Sequence, residues 1–307
     1  MAAVTAAGGA AGPRTYEVHH RTLYTYDDDV TASYGRAYLV PRDAPGQRCT
    51  TSRLDVRPEA LASSASTDFY GNRSVYFEVH TPHRALDVVS VSTVEVDRPV
   101  PDLAALDATT WQDAAARARA LGAAAGADTV DMLLDSPQVA RGGVVEAYAR
   151  AVFAPGRPLG ESLAALYSTI HADFTYTSGA TSVSTPLEEV LRRREGVCQD
   201  FAHLAVACLR TVGLPARYVS GYLETQPPPG RPKLQGADAS HAWASVFVPD
   251  LGWVDLDPTN DQPADSRYVV TAWGRDYTDV PPLKGVIFTE ATKSTLTVEV
   301  DVIRVPS

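Results

Sequence analysis

Cysteine is scarce in this sequence: three of the 307 residues are cysteine, Cys49, Cys198 and Cys208. So small and odd a number does not provide the disulfide framework of small secreted domains. Cys198 and Cys208 lie on one predicted helix, where ten residues correspond to roughly 15 Å along the axis, so they cannot bridge each other. The pattern therefore predicts a reducing compartment.

Long apolar runs and large basic blocks are also missing. No segment approaches the roughly 20 apolar residues that span a bilayer, and no basic block exceeds Arg192-Arg193-Arg194. The net charge of -10 disfavours a broad nucleic-acid interface. Residues 1–13 lack the features of a signal peptide, so we predict a disordered tail. We expect a cytoplasmic protein that binds neither membrane nor nucleic acid, and no feature indicates its oligomeric state.

Three patterns divide the rest of the chain. Alternating polar and apolar residues predict strands through residues 14–97, which we interpret as a β-sandwich-like N-terminal domain. Residues 98–159 read as a helical connector. Residues 160–307 form the predicted core, which mixes helices with strands and ends in an alternating strand at 295–302. The predicted fold class is therefore α+β.

One helix of the core begins beside a cysteine. Apolar residues recur at helical spacing from Phe201 to Val212, and a Gly-Leu-Pro sequence ends the pattern. Cys198 precedes the apolar face and is predicted in the first turn, where free N–H groups and the helix dipole favour a thiolate. Cys208 lies on the apolar face and is interpreted, like Cys49, as a packed cysteine. Cys198 is therefore the candidate nucleophile.

A nucleophilic cysteine needs an imidazole, and His241 is the best candidate. The predicted strand Ser240–Val248 places small apolar residues on one face and His241 on the other, which we expect to meet a cleft. His203 lies on the same helix as Cys198 but off its apolar stripe, and we interpret it as a packed or surface histidine. A zinc site formed by these residues lacks paired ligand spacing, so we expect no metal and no cofactor.

The register of the hairpin that follows decides whether an aspartate can orient His241. If Val248 pairs with Trp253, the side chain of Asp257 points away from His241. If Phe247 pairs with Trp253, the loop has five residues and Asp257 lies diagonal to His241, within reach of a hydrogen bond. A catalytic triad therefore requires the second register or an equivalent bulge.

Other side chains near this position could also orient the imidazole. Asp255 would share a face with Asp257 but lie further along the strand, so Asp257 is preferred. Thr259 and Asn260 remain alternatives, since an amide can also hold an imidazole. With Asp257 in the third position, the three side chains would form a Cys-His-Asp triad.

Two segments, GVCQDFAHLAVACLRTVGLPARYVSGYL and HAWASVFVPDLGWVDLDPTN, resemble the transglutaminase-like core. The shared elements are Gly-x-Cys at a helix start, His-Ala-Trp, and Gly-Trp followed by Asp-Pro-Thr, and the resemblance covers roughly residues 160–262. It implies a papain-like core with Cys198 as nucleophile, His241 as base and Asp257 as orienting acid. Tyr176 matches the position of an oxyanion-hole tryptophan in transglutaminases. Residues 14–97 resemble the β domain that precedes this core in bacterial members.

The resemblance leaves more than one reaction open. The leading hypothesis is a cysteine-dependent hydrolase of a peptide or amide substrate, which acts through a thioester. The nearest rival transfers the acyl group to an amine, and a third hypothesis is a non-enzymatic binding module, against which the complete triad argues. Gln199 occupies the position of a tryptophan in animal transglutaminases, which also carry downstream β-barrels, whereas this sequence continues for about fifty residues after Asp257. We therefore do not expect calcium-dependent crosslinking.

Overall fold

The computed structural model describes residues 12–225 and 240–306, so nearly all of the predicted tail lies outside the described residues. The chain begins with five strands: β1 (Arg14–Ala37), β2 (Gln47–Arg57), β3 (Ala62–Thr67), β4 (Arg73–Val79) and β5 (His83–Val96). Four helices follow: α1 (Trp111–Leu121), α2 (Ala127–Asp131), α3 (Gly143–Val152) and α4 (Leu159–Asp173).

Short strands and helices then lead into a second β region. The intervening elements are β6 (Thr175–Tyr176), α5 (Leu187–Arg193), β7 (Glu195–Gly196) and α6 (Cys198–Thr211). The remaining strands are β8 (Ala216–Leu223), β9 (Ser240–Val248), β10 (Gly252–Asp257), β11 (Gln262–Pro263), β12 (Tyr268–Gly274), β13 (Leu283–Thr289) and β14 (Ser294–Val305). Within the described ranges, no helix is long and apolar enough to cross a membrane.

The first sheet is organised around β1, the longest strand. Its order is β2-β5-β1-β4-β3, and β13 and β14 also pair with β1. The first half of β1 lies between β5 and β14, whereas its second half pairs with β4 and β13. The extensive N-terminal β region is therefore confirmed, and its strands belong to one hydrogen-bonded sheet.

The C-terminal strand lies in this first sheet, whereas we predicted it within the core at residues 160–307. Strand β14 pairs antiparallel with β1 from Thr15 opposite Val305 to Tyr26 opposite Ser294. An alternating pattern predicts a half-buried strand but does not specify the partner. Val300 and Val302 of β14 are buried beside Tyr16 of β1, and this shared apolar face holds β14 in the first sheet.

The helices of residues 98–159 are part of the core and not a connector. Ala149 of α3 packs in the same apolar cluster as Leu163 of α4 and Leu209 of α6. The boundary expected near residue 160 therefore does not separate two packing units, because the amphipathic helices α1 and α3 bury their apolar faces against α4 and α6.

Helix α6 packs on an antiparallel sheet of order β11-β10-β9-β8-β12, as the sequence predicts. Its apolar face contacts Ala244, Val246 and Val248 of β9, the small residues that we assigned to packing. The N-terminus of α6 and the start of β9 therefore lie at the same side of the core, so the first residues of both elements can meet.

Specific contacts fix the first sheet against the core. The guanidinium groups of Arg42 and Arg217 lie over the ring of Trp273, at 3.2 and 3.6 Å from its centroid. The side-chain amide of Gln47 donates to the carbonyl oxygen of Val270 at 2.7 Å and accepts from its N–H at 2.8 Å. The first sheet is therefore held in a defined position against β12 of the core.

Candidate active site

Cys198 is the first residue of α6, and a carboxylate caps this end of the helix. The side chain of Asp200 accepts hydrogen bonds from the backbone N–H of Val197 at 2.8 Å and from the hydroxyl of Thr181 at 2.7 Å. Gly196 leaves room for this carboxylate, since a Cβ there would lie 2.8 Å from an Asp200 oxygen. The partly exposed thiol of Cys198 thus lies where helix N–H groups favour negative charge.

The hairpin of β9 and β10 adopts the register that a triad requires. Phe247 pairs with Trp253, which brings Asp257 beside the first residues of β9. The Nε2 atom of His241 donates a hydrogen bond to Oδ2 of Asp257 at 2.7 Å. Asp257, and not Asp255, is therefore the aspartate that contacts the imidazole.

Asp257 is fully buried and accepts hydrogen bonds on both carboxylate oxygens. Besides His241, the hydroxyl of Tyr268 and the side-chain amide of Asn260 donate to Oδ2, each at 2.7 Å. The backbone N–H groups of Thr259 and Asn260 donate to Oδ1 at 2.9 and 3.3 Å. A buried charge with so many donors keeps one orientation and holds the imidazole in one tautomer.

Burial and charge have opposite effects on the pKa values of His241 and Asp257. Burial lowers the pKa of His241, but the charge of Asp257, its hydrogen bond and the neighbouring Cys198 outweigh burial and raise the pKa above its ordinary value. Burial raises the pKa of Asp257, yet His241, Asn260 and Tyr268 together bring it below the ordinary value. The pair is therefore held as imidazolium and carboxylate.

The thiol of Cys198 neighbours His241 and contributes to its raised pKa. Because Nε2 faces Asp257, Nδ1 is the ring nitrogen that is available to the sulfur. Both residues line a cavity of about 340 Å³. The structure therefore brings the three residues that we selected from the sequence into one continuous arrangement beside an accessible space.

His241 borders a cavity, as we expected of this face of β9, but the face is closed further along the strand. Trp243 and Ser245 on that face are fully buried. The ring of Tyr268 packs edge-on against Trp243, with centroids 5.2 Å apart, and covers the strand there. Of β9, the described lining of the cavity includes only the first three residues, Ser240, His241 and Ala242.

Tyr176 lines the same cavity, at the end of the short strand β6. Strand β6 pairs in parallel with β7, which sets Tyr176 beside Gly196, two residues before the cysteine. Burial, Cys198 and Asp200 raise the pKa of Tyr176, so its hydroxyl keeps its proton at neutral pH. The position is compatible with an oxyanion donor, and this role stays a prediction.

The remaining cysteines and His203 lie away from the thiol of Cys198. His203 is buried, and its Nε2 accepts the backbone N–H of Tyr277 at 3.1 Å, so it is a packed residue. Cys208 is buried and Cys49 is partly exposed on β2. Within residues 12–225 and 240–306, no group of three or more His, Cys, Asp or Glu could hold a metal ion.

The sequence gives no indication of Tyr268 at the site, and it suggests a different role for Asn260. Tyr268 lies eleven residues beyond Asp257 on another strand, and no local pattern relates the two. Asn260 was considered as an alternative partner of His241, whereas it mainly supports the carboxylate of Asp257. The position of Asn260 directly after the Asp-Pro-Thr sequence is the local feature that places it near Asp257.

A fold in which a helix-borne cysteine faces a histidine and an aspartate on an antiparallel sheet is typical of papain-like thiol enzymes. The sequence profile of the transglutaminase-like superfamily matches residues 146–258, and that of the bacterial transglutaminase-like N-terminal region matches residues 16–95. The chain therefore belongs to the transglutaminase-like superfamily, as the resemblance predicted.

Relatives and solved structures are similar along most of the chain. An uncharacterized protein of Mycobacterium tuberculosis is 50% identical over 298 residues, which cover 95% of this chain and 94% of that protein. An uncharacterized protein of Mycobacterium leprae is 33% identical, with 88% and 91% covered. A provisionally assigned cysteine protease from Cytophaga hutchinsonii has the same fold, with a TM-score of 0.76, 19% identity, and 97% and 93% covered.

The pKa of His241 should be shifted in the opposite direction from the pKa values of His20 and His203. We expect His241 to keep its proton well above pH ~6.5, the value of a free histidine. Burial lowers the pKa of His20 and of His203 to about 4, so these two serve as internal controls. Histidine NMR spectra across a pH series would test this, and a His241 signal that titrates with a free histidine would contradict it.

The pair of His241 and Asp257 should make the free energy of unfolding depend on pH. Because the pKa of His241 is raised on folding, its stabilising contribution is complete below about pH 6.5 and is lost as pH rises through the raised value. The contribution of Asp257, whose pKa is lowered, is present above its unfolded value of about 3.9 and is lost as pH falls further.

Proposed function

We propose that this protein is a cysteine-dependent hydrolase of amide or peptide bonds. The single observation that carries the proposal is that the thiol of Cys198 and the hydrogen-bonded pair His241–Asp257 meet at the edge of a cavity. A thiol beside an imidazole can form a thiolate, and a buried carboxylate orients the imidazole and stabilises its charged form. No other group of described residues combines these three components in contact with an accessible space.

The reaction follows from this arrangement. The thiol proton of Cys198 resides on His241, and the sulfur attacks the carbonyl carbon of the substrate. The backbone N–H of Cys198, at a helix terminus without an intrahelical partner, donates to the oxyanion, and the hydroxyl of Tyr176 is the second donor. The C–N bond then breaks as His241 protonates the leaving amine, which leaves a thioester.

Water completes the cycle. His241, now neutral, removes a proton from a water molecule, and the resulting hydroxide attacks the thioester carbon. The C–S bond breaks, the acid leaves, and the thiolate of Cys198 with the imidazolium of His241 is restored. Asp257 takes no proton in any step and keeps Nδ1 of the ring directed towards the sulfur.

Acyl transfer to an amine is the second candidate. A protein-glutamine gamma-glutamyltransferase of Pseudomonas aeruginosa is 35% identical over 95 residues, which cover 29% of this chain and 14% of that protein. The same thioester would then react with an amine in place of water. Incubation of an amide substrate with a labelled primary amine separates the two, since hydrolysis releases ammonia or amine without incorporating the label.

Iodoacetamide labelling tests the nucleophile without knowledge of the substrate. We expect Cys198 to react at least about tenfold faster than Cys49, because only Cys198 has a helix terminus and an imidazole beside its sulfur. Burial raises the pKa of Cys49, so this partly exposed thiol is the control within the same molecule. The rates are measured by mass spectrometry of the digested protein.

The variant His241→Ala should remove the difference between the two cysteines. If Cys198 of the wild type reacts no faster than Cys49, the site lacks an activated thiol. That result would favour a binding module on a transglutaminase-like core.

A further inference from the structure

The cavity beside Cys198 has one wall from the core and one from the first sheet. Cys198, Tyr218 and His241 line it on the core side. On the opposite side, β1 contributes Tyr24, and β14 contributes Leu296 and Val298. The C-terminal strand, far from the triad in the sequence, therefore borders the same space as the reacting sulfur.

One largely apolar face of the first sheet leads into this wall. Residues that pair across β1 and β14 point to the same side of the sheet, so the even-numbered positions of both strands share a face. Its deep part is buried against Tyr222 and Val269 of the core. The pairs towards the cavity are, in order, Val18–Val302, His20–Val300, Thr22–Val298 and Tyr24–Leu296.

Exposure changes abruptly along this face. Val302 and Val300 are each 1% exposed, whereas Val298 is 45% and Leu296 is 53% exposed. Leu296 and Val298 occupy even-numbered positions that the core no longer covers, and both are nevertheless aliphatic. Exposed apolar side chains beside a candidate nucleophile are typical of a pocket in which the bound substrate shields them from solvent.

The wall is also uncharged. Among the described residues that line the cavity, none is Asp, Glu, Lys or Arg. His20, the histidine on the first-sheet side, is buried and hydrogen-bonded to the hydroxyls of Thr22 and Tyr222 at 2.9 and 3.1 Å. Burial lowers its pKa to about 4, so it is neutral at physiological pH. A charged substrate group would therefore lose its hydration there without gaining a partner.

We propose that Leu296 and Val298 form a specificity surface that binds an uncharged apolar group on the acyl side of the scissile amide. This inference rests on the proposed function, because it assigns the group next to the carbonyl that Cys198 attacks. The first sheet then selects the substrate, while the core performs the reaction. Peptides with Phe or Leu on the acyl side are preferred over those with Gly, Asp or Lys.

Chloromethyl ketones test the inference without a known substrate, since the sulfur of Cys198 displaces chloride and forms a C–S bond. The probes are N-acetyl-Phe, N-acetyl-Gly and N-acetyl-Asp chloromethyl ketone, and the second-order rate of labelling at Cys198 is measured for each. We expect the Phe probe to react at least about tenfold faster than the Gly probe, the range that an apolar pocket gives. The Asp probe should be the slowest.

The double variant L296T/V298T should reduce the Phe-to-Gly ratio by about tenfold, because it removes apolar contact from the pocket. Threonine is β-branched and suits a strand, so β14 should remain paired with β1. The matched control is I303T/V305T, which changes two exposed aliphatic residues on the odd-numbered face of the same strand. The control should keep the wild-type ratio, and equal thermal midpoints of the two variants would show that both are folded.

The outcomes separate this inference from the proposed function. Fast labelling of Cys198 by all three probes at equal rates, or equal losses in both double variants, would overturn the specificity surface and leave the hydrolase intact. Labelling of Cys198 that is no faster than that of Cys49 would reject the hydrolase, and the specificity surface with it.

Discussion

Replacing Cys198 with alanine is expected to lower kcat/KM for any turned-over amide by at least about 10⁴-fold, because the covalent route disappears. Activity is measured with a library of peptides and amides, from which substrates of the wild type are first selected. The proposed oxyanion donors and the cavity remain in the variant, so a small residual rate above that of water is compatible with the proposed mechanism.

The variant should fold normally, because Cys198 is only partly buried and loses a single sulfur atom. Cys49→Ala is the matched control, since it also removes a partly exposed thiol but leaves the site unchanged. Control activity should stay within about twofold of the wild type. Turnover by Cys198→Ala within tenfold of the wild type would end the covalent mechanism.

Asp257→Asn should lower kcat/KM by about 10²- to 10⁴-fold, as the loss of an orienting carboxylate does in comparable triads. The amide offers His241 no negative charge, so the imidazole loses both its fixed tautomer and the cause of its raised pKa. The basic limb of the pH–rate profile should therefore move to lower pH. Kinetics at a series of pH values measure both effects.

Asp255→Asn is the matched control, because Asp255 lies two residues away on the same strand and does not contact His241. Its carboxylate lies 3.7 Å from the guanidinium of Arg98. The control should change kcat/KM by less than about threefold and leave the basic limb in place. Equal losses in the two variants would contradict the assignment of Asp257.

Asp257 should also contribute to the free energy of unfolding. Asp257→Ala removes the acceptor of His241, Tyr268 and Asn260 from a fully buried position. Breaking a buried pair of this kind costs about 3–5 kcal/mol of the free energy of unfolding. Urea denaturation measures the difference, and a loss below about 1 kcal/mol would show that the network relaxes without Asp257.

The choice of Cys198 as candidate nucleophile rests on residues that are close together in the sequence. The helix that begins at Cys198 follows from apolar spacing between Phe201 and Val212 and a Gly-Leu-Pro stop, and both are short-range features. The packing face of β9 follows in the same way from strict alternation. His241 was correctly placed on the other face, but the burial of Trp243 depends on Tyr268, which comes from another strand.

The third member of the triad could be predicted only conditionally. The sequence between β9 and β10 allows two registers, and a shift by one residue reverses the direction of every side chain. The pairing of Phe247 with Trp253 selects the register that brings Asp257 to His241. This choice depends on how both strands pack between β8 and β11, which no local pattern contains.

The sequence alone indicated the helix of Cys198, the strand of His241, the family and the candidate site residues, because periodicity and short motifs depend on neighbours along the chain. Tertiary structure decided which distant parts complete the site. The pairing of β14 with β1 brings Leu296 and Val298 to the cavity, and Tyr268 closes over Asp257 from another strand. Many segments with alternating apolar residues could pair with a given strand, because each offers a similar apolar face. The pairing partner is therefore decided only by the packing of the folded chain.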